Sequence, residues 1–77
     1  MTDNLITYNI EPIKLVDELS DVEAYIGESI NGKDRSANTW RIKRIWKVGT
    51  VWNIGYPNGN QSYEYIWDDR LNYSYDI

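Results

Sequence analysis

The sequence predicts a mostly β chain, a small antiparallel sheet, sandwich or barrel of about five strands, and three observations carry that prediction. The second half alternates with a period of two, as half-buried strands do. The stretch Tyr56-Pro57-Asn58-Gly59-Asn60 has the chemistry of a tight hairpin turn. Four Trp and seven Tyr stand in 77 residues, and all but Tyr8 and Tyr25 lie after position 39. Rings in that number fill the core that a short chain without disulfides must build.

Taken in order, residues 1–12 read as an extended arm ahead of the domain, with Leu5, Ile6, Tyr8 and Ile10 as its apolar contacts. Residues 13–28 admit two readings. Ile13, Val16, Leu19, Val22 and Ile26 sit at helical spacings, while Ile13-Lys14-Leu15-Val16 and Val22-Glu23-Ala24-Tyr25-Ile26 are β-prone pieces around a turn at Leu19-Ser20-Asp21. The hairpin is preferred, with Gly27 closing its second strand. Residues 29–38 form a polar loop. Residues 40–48 are extended, although Ile45 falls opposite Trp40, Ile42, Trp46 and Val48, which predicts a bulge or a strand touched on both faces. Gly49-Thr50 turns the chain into a strand with Trp52, Ile54 and Tyr56 on one side. Two further strands are predicted, one with Tyr63, Tyr65 and Trp67 and one with Leu71, Tyr73, Tyr75 and Ile77. No repeat or linker divides the chain, so residues 1–77 read as a single β domain.

Charge is unevenly placed. Residues 1–30 carry seven acids and one lysine, residues 31–53 carry six bases and Asp34, and residues 54–77 carry four acids and Arg70. A basic middle between acidic ends is neutralised within the fold or between copies in an assembly. The formal net charge of −4 argues against a general nucleic-acid binder. No cationic start followed by an apolar run marks a signal peptide, and no segment approaches the ~20 apolar residues of a membrane helix. The expectation is a soluble protein made in a cytoplasm.

Enzymatic readings fail mainly by absence, because the chain has no His and no Cys. The common general base, the thiol nucleophile and most transition-metal ligands are missing. Asp68 and Asp69 are neighbours whose side chains diverge on a strand, so they read as a strand-end turn, one carboxylate capping backbone N–H groups and the other paired with Arg70. The run Arg41-Ile42-Lys43-Arg44-Ile45-Trp46-Lys47 interleaves bases with rings, as a single-strand-binding sheet does, but a two-sided strand gives the same string. No catalytic residue, metal ligand or cofactor site is expected.

The set Ala24-Tyr25-Ile26-Gly27-Glu28, Trp40-Arg41-Ile42-Lys43-Arg44-Ile45, Tyr56-Pro57-Asn58-Gly59 and Ile66-Trp67-Asp68-Asp69-Arg70 with Leu71-Asn72-Tyr73, spread over residues 13–75, resembles a pattern of small virion-associated proteins of tailed bacteriophages. The resemblance implies a structural virion component of the tail, a fibre, a connector or the head surface, assembled in the host cytoplasm. It implies partners that are other phage structural proteins or further copies of the chain, and no catalytic residues. The expected structural anchors are Trp40, Trp52, Trp67, Asp68, Asp69, Arg70 and Tyr73. The expected interface is Leu5, Ile6, Tyr8 and Ile10 with Arg41 and Lys43. The alternative is a small module that binds surface glycans or another protein through exposed Trp or Tyr.

Overall fold

The computed structural model describes residues 13–30 and 32–77, so the arm expected over residues 1–12 lies outside the described residues. Five strands, β1 (Ile13–Ser20), β2 (Glu23–Ser29), β3 (Trp40–Val48), β4 (Val51–Pro57) and β5 (Tyr75–Asp76), form one antiparallel sheet in chain order. The sheet is open. It does not close into a barrel, and β1 and β5 are its edges.

The hairpin reading of residues 13–28 holds and the helical one does not. Val16 pairs with Ile26 and Leu15 with Gly27, and β1 alternates between half-buried Ile13, Leu15 and Asp17 and exposed Lys14, Val16 and Glu18. A period of two places the apolar pair Ile13 and Leu15 on one face, which a helix would scatter. The ladder shifts register between Glu18 and Ser20, and the Val22 N–H donates to Ser20 Oγ at 3.1 Å to tie the turn.

Of the two readings of β3, the bulge does not form. The strand's register with β2 (Ala24↔Ile45, Tyr25↔Arg44) and with β4 (Ile45↔Ile54, Arg44↔Gly55) is regular, so Ile45 simply faces the side opposite Ile42. Gly49 adopts φ 64° in the β3–β4 turn, a conformation that twists with the strands.

The Tyr56–Asn60 turn forms. Asn58 and Gly59 take φ 53° and 73°, Gly59 N–H donates to Tyr56 O at 2.9 Å, and Asn60 N–H donates to Pro57 O at 2.8 Å. The strand that then pairs with β4 is not the expected 63–67. Asn60 Oδ1 accepts from Ser62 N–H at 2.9 Å, a local bond that bends the chain off the ladder. Tyr65 instead makes a two-way bridge with Trp40, Trp67–Asn72 winds into a 3-10 helix, and only Tyr75–Asp76 return to β4. The two long strands predicted for residues 63–77 are thus replaced by a strap across the sheet.

That strap makes the core. Side chains of Ile13, Leu15, Tyr25, Trp40 and Ile42 share one sheet face, and Trp67, Tyr65, Tyr73 and Tyr75 descend onto it. Trp40 and Ile42 are fully buried and Trp67 is 3% exposed. The Trp67 indole occupies the space where a Gly27 Cβ would stand, with the Trp40 ring 3.2 Å from that point. Tyr25–Tyr75, Tyr73–Tyr75 and Tyr65–Tyr73 continue as edge-to-face contacts with centroids 5.4, 6.5 and 5.1 Å apart. The Trp40 indole N–H donates to Asp34 O at 2.9 Å, and Asp68 N–H to Arg35 O at 3.0 Å, so the loop after β2 closes over the strap.

Arg70 fastens the strap to β1. Its Nε and Nη2 donate to Asp17 Oδ2 at 3.0 and 2.8 Å, its Nη1 donates to Trp67 O, and its guanidinium lies 4.6 Å from the Trp67 ring centroid. The expected pairing of Arg70 with Asp68 or Asp69 is therefore replaced by one with Asp17. No side chain caps the start of the 3-10 helix, where Asp68 and Asp69 stand in the first turn. Among the described residues neither carboxylate forms an ion pair, and both stand where negative charge suits the start of a helix.

Candidate binding face

The side of the sheet opposite the core carries no strap among the described residues. Alternation and register place Val16, Ala24, Ile26, Ile45, Trp52, Ile54 and Tyr56 there, with Lys14, Glu18, Glu28, Arg41, Lys43 and Lys47. The rows run across strands: Val16, Ile26 and Lys43, then Glu18, Ala24, Ile45 and Ile54, then Lys47 beside Trp52. Val16, Trp52 and Ile54 are 67%, 50% and 48% exposed. Contiguous apolar surface of this kind, rimmed by charge, marks interaction sites on soluble proteins.

The cause lies in the sequence. β3 and β4 are apolar on both sides, with Trp40, Ile42 and Gly55 facing the core while Ile45, Trp52 and Ile54 face away. Strands that are apolar on two faces belong to sheets covered twice, and the residues 63–77 cover one face only.

One end of the face is a charged cluster. Arg41 Nε donates to Glu28 Oε1 at 3.1 Å, and Lys14 Nζ stands 3.7 Å from Glu28 Oε2. The Arg41 hydrogen bond, ahead of the charges of Arg41, Lys14 and Lys43, holds the Glu28 carboxyl below its ordinary value of 4.5. A carboxyl depressed in the folded state stabilises that state above its unfolded value, and the benefit is lost as pH falls through the folded one. Glu28→Gln should therefore melt below the parent at pH 7, with the gap closing as pH falls from 4.5 downward. Thermal melts from neutral to acid pH measure this.

At the other end Lys47 Nζ lies 5.7 Å from the Trp52 ring centroid, while in the charged cluster Arg41 lies 5.0 Å from that of Tyr63. On the core side Arg44 covers Trp46 at 4.4 Å and bonds Glu23 Oε2 at 2.7 Å. The basic run of β3 is thus divided between two faces, and Arg44 is spent on an internal pair.

The structure separates the residues expected to act together. Trp40, Trp67 and Tyr73 pack in or against the core, where the Tyr73 hydroxyl accepts from Ile66 N–H at 3.0 Å. Trp52, expected as an anchor, stands half exposed on the uncovered face, because the stripe Trp52, Ile54 and Tyr56 points away from the strap. Arg41 and Lys43, expected at an interface, lie on that same face, while Leu5, Ile6, Tyr8 and Ile10 fall outside the described residues. Val16, Ile26, Ile45 and Ile54 were not anticipated as surface contacts. The off-parity Ile45 was the signal that pointed to them.

Among the described residues no three His, Cys, Asp or Glu converge as metal ligands, and no pocket opens. Burial holds the Tyr75 hydroxyl far above the ordinary tyrosine value, so it stays protonated and donates to Arg70 O at 2.7 Å. No helix among the described residues is long and apolar enough to cross a membrane. No protein-family model matches the chain, and no curated protein or solved structure matches it significantly.

Proposed function

We propose that this protein is a non-catalytic structural subunit that joins a larger assembly by docking the uncovered face of its sheet against neighbouring protein. The single observation that supports this reading is the apolar group Val16, Ile26, Ile45, Ile54 and Trp52, spread over neighbouring rows of the face that no strap covers, with Val16, Ile54 and Trp52 about half or more exposed. Docking removes that surface from water at about 25 cal/mol per Å2. The sequence resemblance to small tailed-phage proteins supplies the setting, a virion in which the chain contacts copies of itself or other structural proteins.

Ile54→Asp tests it. Ile54 is 48% exposed, so the substitution should leave the unfolding midpoint of the isolated chain nearly unchanged. The parent should sediment as an oligomer or with purified particles, and the variant should run as a monomer. Identical sedimentation of the two would sink the proposal.

A second reading, a glycan-binding module, draws on Trp52 alone, whose ring is half exposed beside Lys47. It predicts a shift in tryptophan fluorescence on titration with oligosaccharides that Trp52→Ala removes.

A further inference from the structure

The uncovered face has a charge of its own. Lys14, Arg41, Lys43 and Lys47 stand on it against Glu18 and Glu28, so it is cationic in a chain of formal net charge −4. Glu28 is already engaged by Arg41 and Lys14, and among the described residues Lys43 and Lys47 form no salt bridge. Lys43 sits at the centre, between Ile26 and the β4 strand. Two such faces stacked about a two-fold axis would set like charge against like, a juxtaposition that interfaces avoid. The fitting occupant is an extended apolar segment free of cations, with carboxylates to meet the lysines.

The chain contains such a segment. Residues 1–12 have no Lys or Arg, carry Asp3 and Glu11, and place Ile6, Tyr8 and Ile10 at the period of a strand with one apolar side. They join the domain at Ile13, the start of edge strand β1, beside the charged row of Lys14, Glu28 and Arg41 rather than the apolar rows. Pro12 disfavours helical backbone at Glu11, which suits an extended segment. Twelve extended residues reach about 40 Å, enough to span to a neighbour.

We propose that Leu5–Ile10 of one copy lies along the uncovered face of the next, with Ile6, Tyr8 and Ile10 against Ile26, Ile45 and Ile54, and with the net negative charge of the arm set against the cationic face. This rests on the assembly reading above and names its occupant. Arm and face are different surfaces, so the contact is heterologous. Copies add head to tail into a ring or a filament, or exchange arms within a pair.

Because the chain has no cysteine, paired thiols read the contact directly. Tyr8→Cys and Ile54→Cys are made separately, mixed in equal amounts and oxidised. The expected product is the mixed disulfide dimer, in clear excess over both homodimers, with several-fold less of it when Lys43→Glu and Lys47→Glu are added to the Ile54→Cys chain. Statistical pairing in the mixture overturns the proposal. So does closure of the double variant Tyr8→Cys/Ile54→Cys into a disulfide within one chain at high dilution, which places the arm on its own domain. If the thiols fail to pair while Ile54→Asp still dissociates the assembly, the occupant is wrong and the docking face stands. If Ile54→Asp leaves the assembly intact, the face itself is wrong.

Discussion

Trp67→Ala is expected to cost about 3–5 kcal/mol, the usual loss when a buried tryptophan is truncated and the site cannot collapse. The site here has little freedom to do so. The indole is 3% exposed, wedged between Gly27 and Trp40 and roofed by the Arg70 guanidinium at 4.6 Å. Removing it empties the contact that holds the strap to the sheet and strips Arg70 of one support of its bond to Asp17. For a domain of this size each kcal/mol shifts the midpoint by about 4–8 °C, so a fall of at least about 12 °C is expected in a thermal melt. Total stabilities run near 0.05–0.15 kcal/mol per residue, which puts the variant at the edge of unfolding. A shift of only a few degrees would show that the strap is held elsewhere.

Gly27→Ala is the complementary experiment, because it adds one carbon instead of removing many. An alanine Cβ would overlap the Trp67 ring, which is rigid and held on its other sides. Overpacking of this kind costs about 1–3 kcal/mol. Elsewhere in a strand the same change is neutral or favourable, since glycine loses the most backbone freedom on folding. The sign should therefore depend on the neighbour. In a Trp67→Leu background, where the ring is gone but a core side chain remains, Gly27→Ala should become neutral or stabilising. Denaturant titrations of the four proteins should give a coupling of at least about 1 kcal/mol, within the range found for residues in contact. Additive effects would mean that the close approach at Gly27 is not what fixes the glycine.

Much of the sheet was legible because period and turn chemistry are local. Val16 against Ile26, the Gly49-Thr50 turn and the positive φ of Asn58 and Gly59 all follow from residues within a hairpin of one another. The C-terminal quarter was not, for a reason visible in Trp67. Tyr63, Tyr65 and Trp67 alternate as a strand does, but the Gly27 slot that draws Trp67 down lies 40 residues earlier, and tertiary packing there overrides local preference. The candidate face shows a different limit. Alternation correctly set Trp52, Ile54 and Tyr56 on one side of β4, yet period alone does not say which side the rest of the chain will cover. Rings were expected inside, and for Trp40 and Trp67 burial follows, while Trp52 remains half in water. Arg41 and Lys43 were marked for contact by charge, and they lie among the aliphatic residues that charge could not reveal.

The register shift between Glu18 and Ser20 has a consequence for edge-to-edge strand pairing. An eight-residue edge strand such as β1 is a template on which another chain can zip, main chain to main chain, into fibrils without end. The bulge breaks that template near its end, and Lys14, Asp17 and Glu18 charge the rest. Edge growth, which would ignore side-chain identity, is thereby suppressed. On the docking reading proposed above, association falls to the face, where each contact must match in shape and charge.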